Sequence, residues 1–377
     1  MNKKIVFLTG TRADFGKLKS IMRIVQEKND FFDLHVFVTG MHMNSKYGGT
    51  VEEIEKSGFL NIYKFINHDR IDNMDRILGK TIEGFSLYVQ ELKPDMIVVH
   101  GDRVEALAGA IVGALNNILV AHIEGGEVSG TIDESIRHSI TKLSHIHFVA
   151  NKVAKSRVYK LGEDKNSIFT IGSPDIDIMF SKDLPDLTSA KSRYEIDFED
   201  YIVLMYHPVT TEHNEISNNI KSLVDAVLDS NENYIVIYPN NDFGSDIIIN
   251  EFERLKNNSK IKIYPSLRFE YFLTLLKNAK CIIGNSSAGI REAPLYGVPT
   301  INIGSRQNGR SYSDSIIHTN DSKDQIIEAI QRLRNNSLKF EKIEDFGSGN
   351  SAKLFLKIVQ NKDFWNIKIQ KVLNEIY

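Results

Sequence analysis

The chain has 377 residues, enough for two domains of ordinary size that together bury a large apolar interior. Lys plus Arg total 46 against 49 Asp plus Glu, a net charge of −3, and no stretch interleaves clustered basic residues with aromatics, which argues against a nucleic-acid groove. Cys281 is the only cysteine, so neither an intramolecular disulfide nor a thiolate metal cluster can form, and a reducing compartment, the cytoplasm by default, is expected.

The first apolar run, Ile5 to Leu8, follows Lys3 and Lys4 and is far too short for a signal peptide. No later run approaches a membrane span, so no membrane partner is expected. Short Ile- and Val-rich runs then recur at Leu34 to Val38, Met96 to Val99, Ile118 to Ala121, Ile146 to Val149, Ile202 to Met205, Tyr234 to Tyr238 and Cys281 to Ile283. Runs of this length, apolar throughout, predict buried parallel strands. Amphipathic stretches lie between them, such as Lys17 to Val25 with Leu18, Ile21, Met22 and Val25 on one face, and Glu270 to Lys277. The alternation predicts α/β architecture with doubly wound, Rossmann-like sheets. The charged, strand-poor segment Ser181 to Asp197, with Pro185, divides the strands into two sets, so the expected domains are residues 1–180 and 181–358 with a cleft between them. From Phe364 onward Trp365, Ile369, Val372, Leu373 and Ile376 share one helical face, which predicts that residues 359–377 form a docked terminal helix.

In open α/β sheets ligands bind beyond the carboxyl ends of the strands. Those ends are polar in both halves: Gly10-Thr11-Arg12-Ala13-Asp14, His100-Gly101-Asp102-Arg103, His122-Ile123-Glu124-Gly125-Gly126-Glu127, His207-Pro208, Pro239-Asn240-Asn241-Asp242 and Gly284-Asn285-Ser286-Ser287. Any one of them is ordinary turn and capping chemistry; the pattern repeated in both halves points to a site. Gly284 to Glu292 reads as a strand, a turn of small residues and a helix N-terminus. There, backbone N–H groups and the hydroxyls of Ser286 and Ser287 suit a diphosphate, the plain alternative being a Ser N-cap. Glu292 either accepts from ribose hydroxyls or is a helix-surface carboxylate beside Arg291. Arg12 either supplies the fixed positive charge a diphosphate needs or is a surface Arg. The turn Thr9 to Gly16 lacks the three-glycine dinucleotide fingerprint, so no bound nicotinamide and no other cofactor is expected.

Asp102, Glu124 and Asp133 are the acidic residues expected opposite the diphosphate. Thr131-Ile132-Asp133-Glu134 also reads as a capping box, which accounts for an acid at Asp133 without any function. His207 is either a core histidine or a donor to phosphate or sugar. His42, His122, His138, His145 and His147 show no metal-ligand spacing, and no metal is expected.

The segments TGTRADFGKL from Thr9, VTGMHM from Val38, HGDRVEALAGA from His100, HIEGGEVSGTIDESIRHSI from His122, HPVTTE from His207, YPNND from Tyr238 and GNSSAGIREAPLYGVPTINIGSRQ from Gly284 span almost the whole chain. Together they resemble the UDP-N-acetylglucosamine 2-epimerases, and in particular the hydrolysing branch that makes N-acetylmannosamine for bacterial sialic acid synthesis. HIEGGE is specific to that resemblance, since the non-hydrolysing branch reads more like HVEAGLRT at this strand end. The resemblance implies a two-domain fold like that of the GT-B glycosyltransferases, UDP held mainly by the C-terminal half, a last helix that crosses back to the N-terminal domain, and a homodimer or dimer of dimers. Carried over residue by residue, it places catalytic acids at Asp102, Glu124 and Asp133, and UDP contacts at Arg12, Arg103, His207, Asn240, Ser286, Ser287, Glu292 and Arg306. Glu134 stands where relatives often have a second Asp, which leaves open which of the Asp133–Glu134 pair faces the sugar. A paralogue acting on a UDP-2,4-diacetamido-trideoxyhexose for legionaminic acid shares these motifs, and a GT-B glycosyltransferase would share the diphosphate site. A non-catalytic nucleotide-binding module would gain nothing from several carboxylates beside a diphosphate.

Overall fold

The computed structural model describes residues 2–45, 50–68, 73–129, 132–182, 184–240, 242–307, 313–335, 340, 346–372 and 374. The chain divides into two compact units, the first comprising Met1–Glu127, Asp133–Ser181 and Asp345–Tyr377, the second Val128–Ile132 and Lys182–Glu344.

The first unit is built on β1 (Lys3–Thr9), β2 (Phe32–Val38), β3 (Ile62–Lys64), β4 (Met96–His100), β5 (Leu119–Ile123), β6 (Ile146–Val149) and β7 (Ile168–Thr170). All pairings among them are parallel and the order is β3-β2-β1-β4-β5-β6-β7. A strand buried on both faces carries apolar residues in succession, as Ile5 to Leu8 of β1 do. Ile5 and Phe7 pack with the helices Arg12–Gln26 and Ser351–Val359, while Val6 and Leu8 face the helices Met74–Leu92, Val104–Leu115 and Ile132–Leu143. The second unit repeats the plan with β8 (Ile202–Met205), β9 (Tyr234–Ile237), β10 (Ile261–Tyr264), β11 (Cys281–Gly284), β12 (Thr300–Ile303) and β13 (Ile316–Thr319), in the order β10-β9-β8-β11-β12-β13. The strand order reverses beside β1 and β4 in one sheet and beside β8 and β11 in the other, where crossovers leave on opposite faces and a crevice opens at the carboxyl ends. Among the described residues no helix is long and apolar enough to cross a membrane.

Each apolar run read from the sequence lies on one of these strands. The remaining strands, β3, β7, β10, β12 and β13, are three or four residues long and mix polar with apolar side chains, as in Ile62-Tyr63-Lys64 and Thr300-Ile301-Asn302-Ile303. Four of the five lie at sheet edges, where one side needs no apolar cover.

The terminal helix expected over 359–377 is displaced. The helix is Ser351–Val359, followed by a 3-10 turn at Lys362–Asn366, and residues 367–372 are not helical. Its start is fixed by Asp177, whose two carboxylate oxygens accept from the backbone N–H groups of Ser351 (2.8 Å) and Ala352 (2.7 Å). The chain is therefore back in the first unit before residue 358, the expected limit of the second domain. Trp365 packs near Phe32 and its indole N–H donates to Val359 O at 2.8 Å; beyond the turn Ile367 packs against the core, whereas Ile369 and Val372 are exposed. Leu373 and Ile376 lie outside the described residues.

β11 ends on Gly284 at φ +128°, where a Cβ would stand 1.9 Å from Met205 O on the neighbouring β8. Gly284→Ala is therefore expected to cost the second unit about 2 kcal/mol or more, read as a lower urea midpoint. An unchanged midpoint would show that the two strand ends can separate freely.

Candidate active site

In the first unit the polar strand ends form a connected structure. Thr11 caps the helix Arg12–Gln26 in a capping box with Asp14, and the Asp14 carboxylate also accepts from Gly10 N at 3.0 Å, so the turn after β1 is rigid. Arg12, the first helical residue, places Nη2 at 2.9 Å from Glu53 Oε1. Gly10 packs against Gly40 and the side chain of Glu105; a Cβ on Gly40, at φ +61°, would lie 2.6 Å from Gly10 O and 2.7 Å from Glu105 Oε1. Arg103 Nε stands 3.8 Å from Glu105 Oε2. One turn along the helix, Lys17 faces the fully buried Asp175 at 3.6 Å.

Beyond β4, Gly101 O accepts from His122 Nε2 at 2.8 Å, while Nδ1 of the same ring lies 3.2 Å from the Thr141 hydroxyl. A carbonyl can only accept, so the Nε2–H tautomer is fixed and the hydroxyl donates to Nδ1. Burial drives the His122 pKa down to about 3, so the ring is neutral and serves as a fixed strut behind Asp102. The Asp102 carboxylate is bonded to Nη2 of Arg137, a side chain 2% exposed. Arg137 Nη1 donates to Glu127 O at 3.3 Å and stands 3.8 Å from Glu134 Oε2. Glu124, at φ +74°, turns sharply out of β5 and places Oε2 at 2.9 Å from His100 Nε2. Asp133 is buried in the first turn of the helix Ile132–Leu143, where the helix dipole favours an acid. Thr131, the expected cap of that helix, lies outside the described residues.

The second unit has its own organising side chain. Asn285, after β11, accepts from His207 N at 2.6 Å and donates to His207 O at 2.8 Å, extending the pairing of β11 with β8 past the end of the sheet. His207 Nδ1 accepts from Asn240 N at 3.0 Å, so in the neutral ring the proton sits on Nε2. Arg306 Nη1 (3.2 Å) and Gln307 Nε2 (2.8 Å) both donate to Asn285 O. Ser286 caps a 3-10 turn at Ser287–Gly289 with its hydroxyl on Ala288 N. The expected turn of small residues is this 3-10 turn, and the helix after it is the short Glu292–Tyr296, which Gly297 at φ +72° stops. Arg291 and Glu292 are both 2% exposed, so neither is the surface residue that the plain sequence reading allowed.

The structure thus joins Asp102 to Glu134 through Arg137 in one unit, and His207 to Asn240, Asn285 and Arg306 in the other. Arg137 and His100 were not singled out in the sequence. Arg137 had a readable signal, four residues after Asp133 and hence on the same helix face. His100 had none beyond its place as the last residue of β4. Among the described residues no group of three or more His, Cys, Asp or Glu could hold a metal ion.

Two parallel α/β domains with polar switch points are the architecture of GT-B-type nucleotide-sugar enzymes, and the comparisons narrow it further. The family model for UDP-N-acetylglucosamine 2-epimerase matches residues 24–360. The chain is 47% identical over 372 residues to UDP-N-acetylglucosamine 2-epimerase of Neisseria meningitidis serogroup B, covering 98% of each. It is 35% identical over 357 residues to UDP-N,N'-diacetylbacillosamine 2-epimerase (hydrolyzing) of Legionella pneumophila, covering 93% of this chain and 94% of that one. The fold matches the crystal structure of UDP-GlcNAc 2-epimerase from Neisseria meningitidis bound to UDP-GlcNAc with a TM-score of 0.79 at 18% identity, over 95% of this chain and 100% of that one. The protein belongs to the UDP-N-acetylglucosamine 2-epimerase family.

His122 gives the site a pH signature. Its pKa is lower in the folded than in the unfolded chain, so between about 6.5 and 3 the unfolded chain binds the extra proton and stability falls as pH falls. His122→Gln is expected to remove up to about 1.4 kcal/mol per pH unit from that slope below pH 6. Parallel stability-versus-pH curves for the two proteins would contradict a buried neutral ring.

Proposed function

We propose that the protein is a hydrolysing UDP-N-acetylglucosamine 2-epimerase, which converts UDP-GlcNAc and water to N-acetylmannosamine and UDP, supplying sialic acid synthesis in the cytoplasm. The observation that carries the reading is the carboxylate cluster organised by Arg137 in the first unit, beside strand ends that resemble the hydrolysing branch.

The C2 hydrogen of a 2-acetamido sugar is not next to a carbonyl and is barely acidic, so direct deprotonation to a stabilised anion is unfavourable. Elimination avoids this. A base takes the C2 proton, the C–H electron pair becomes the C1–C2 double bond, and the C1–O bond breaks with its pair leaving on UDP. The glycal then takes a proton on the other face of C2 and water adds at C1, releasing the free sugar. We assign the C2 proton transfer to Asp133, with Asp102 and Glu124 as its acid-base and positioning partners. Arg137 beside Asp102 favours the ionised carboxylate, and Glu124 beside His100 has a different environment, so the carboxyls can hold different protonation states. On the departing UDP, charge is met by Arg12, Arg103, Arg306 and the hydroxyls of Ser286 and Ser287, with His207 and Asn240 on the phosphates or sugar and Glu292 on the ribose.

A second reading, a UDP-2,4-diacetamido-trideoxyhexose as substrate, is favoured by the likeness to the Legionella enzyme. The higher identity to the Neisseria enzyme favours UDP-GlcNAc.

Turnover in heavy water should place solvent deuterium at C2 of the product, and labelled water should place its oxygen at C1 of the sugar and none in UDP. Product without deuterium at C2 would exclude the elimination. Asp102→Asn should leave UDP binding intact and slow turnover by about 10²- to 10⁴-fold. For the diphosphate, Arg12→Ala and Ser287→Leu should each weaken UDP about tenfold by calorimetry, the scale of one charge-assisted hydrogen bond. Unchanged affinity in both would move the phosphates elsewhere.

A further inference from the structure

The helix Ile132–Leu143 begins with Asp133 and Glu134, carries Arg137 in its middle, and so holds much of what the proposed chemistry needs. A helix leaves its last carbonyls without intrahelical partners, and at a buried end these must be satisfied from outside. Ile140 O is taken by Ser144, through both its N–H (2.9 Å) and its hydroxyl (2.7 Å). The carbonyls of Thr141, Lys142 and Ser144 are met by a residue far away in sequence: Lys371 Nζ lies 3.2, 2.8 and 2.5 Å from them.

Lys371 is itself held. Its Nζ is 2.6 Å from Glu163 Oε2, and Glu163 also meets Lys142 Nζ at 2.7 Å and His147 Nε2 at 3.1 Å. Glu163 is 2% exposed; burial alone would raise its pKa, but His147 and the two lysines outweigh it and bring it to about 2, so the carboxylate stays charged. A compact ammonium with three donors fits a ring of carbonyls in a way that a planar guanidinium does not, and a cation at a helix C-terminus opposes the negative end of the dipole. The contact gives the segment after the 3-10 turn a charged anchor beside the apolar one at Ile367, while Ile369 and Val372 are exposed.

We propose that Lys371 is a positioning residue for the reaction: from the C-terminal segment it clamps the far end of the helix Ile132–Leu143 and so fixes where that helix presents Asp133 and, through Arg137, Asp102. This rests on the reading that the helix bears the chemistry. Lys371 touches none of the proposed UDP contacts, so its loss should act on turnover and spare UDP binding.

The test uses the full chain with UDP-GlcNAc, measuring kcat by UDP release and UDP affinity by calorimetry. Lys371→Met is expected to lower kcat about tenfold, the scale of a sub-ångström misplacement of catalytic groups, with UDP affinity within twofold of the parent. Lys371→Arg, which keeps a cation and N–H donors there, should lie between the two. The proposal is overturned if kcat of Lys371→Met stays within twofold of the parent, or if kcat and UDP affinity fall together, which marks general loss of structure. Should Lys371→Met not fold, Lys371→Gln decides by the same two criteria. Failure of the underlying reading shows separately, as full activity in Asp133→Asn.

Discussion

A guanidinium buried to the extent of Arg137 cannot be left without compensation, and this requirement shapes the first unit. The ion is met by the Asp102 carboxylate from the end of β4, by Glu127 O from the loop after β5, and more distantly by Glu134 on its own helix. Three separate segments are thereby drawn to one charge. Removing the arginine would leave acidic groups repelling one another at the carboxyl ends of β4 and β5; removing the acids would leave a cation in the interior. Asp102 and Glu134 are thus gathered by the charge that the buried guanidinium must have compensated.

Each sheet supplies the platform for its own cluster. The central strands are largely apolar and buried on both faces, so most polar side chains fall at the strand ends, and the reversal of strand order beside β1 and β8 opens a crevice at those ends. In the second unit Asn285 plays the part that Arg137 plays in the first, using hydrogen bonds in place of charge. Its side-chain amide holds His207 by both backbone groups, and its own carbonyl is shared by Arg306 and Gln307.

Much of this was legible in the sequence because burial in a parallel sheet favours unbroken apolar runs, short as they are here, and because polar residues directly after such runs are conspicuous. Asp102, Glu124, His207 and the Asn285-Ser286-Ser287 turn could all be picked out in that way. What escaped was set by tertiary contact. β12 carries Thr300 and Asn302 among its apolar residues because Thr300 Oγ1 donates to Gly289 O at 2.6 Å and the Asn302 amide lies 3.1 Å from His318 Nδ1, partners no local pattern reveals. The terminal segment misled for a similar reason. Its apolar spacing suggested a helix, yet its polar anchor is a lysine whose acceptors are more than two hundred positions away.

The central claim is the proposed one, that the protein turns over UDP-GlcNAc and releases the sugar free. It is tested most directly by following the protein with UDP-GlcNAc by proton and phosphorus NMR, with the diacetamido-trideoxyhexose nucleotide run in parallel. The account predicts N-acetylmannosamine and UDP appearing in equal amounts from UDP-GlcNAc. Accumulation of UDP-N-acetylmannosamine without free sugar, or turnover of the diacetamido nucleotide alone, would contradict it.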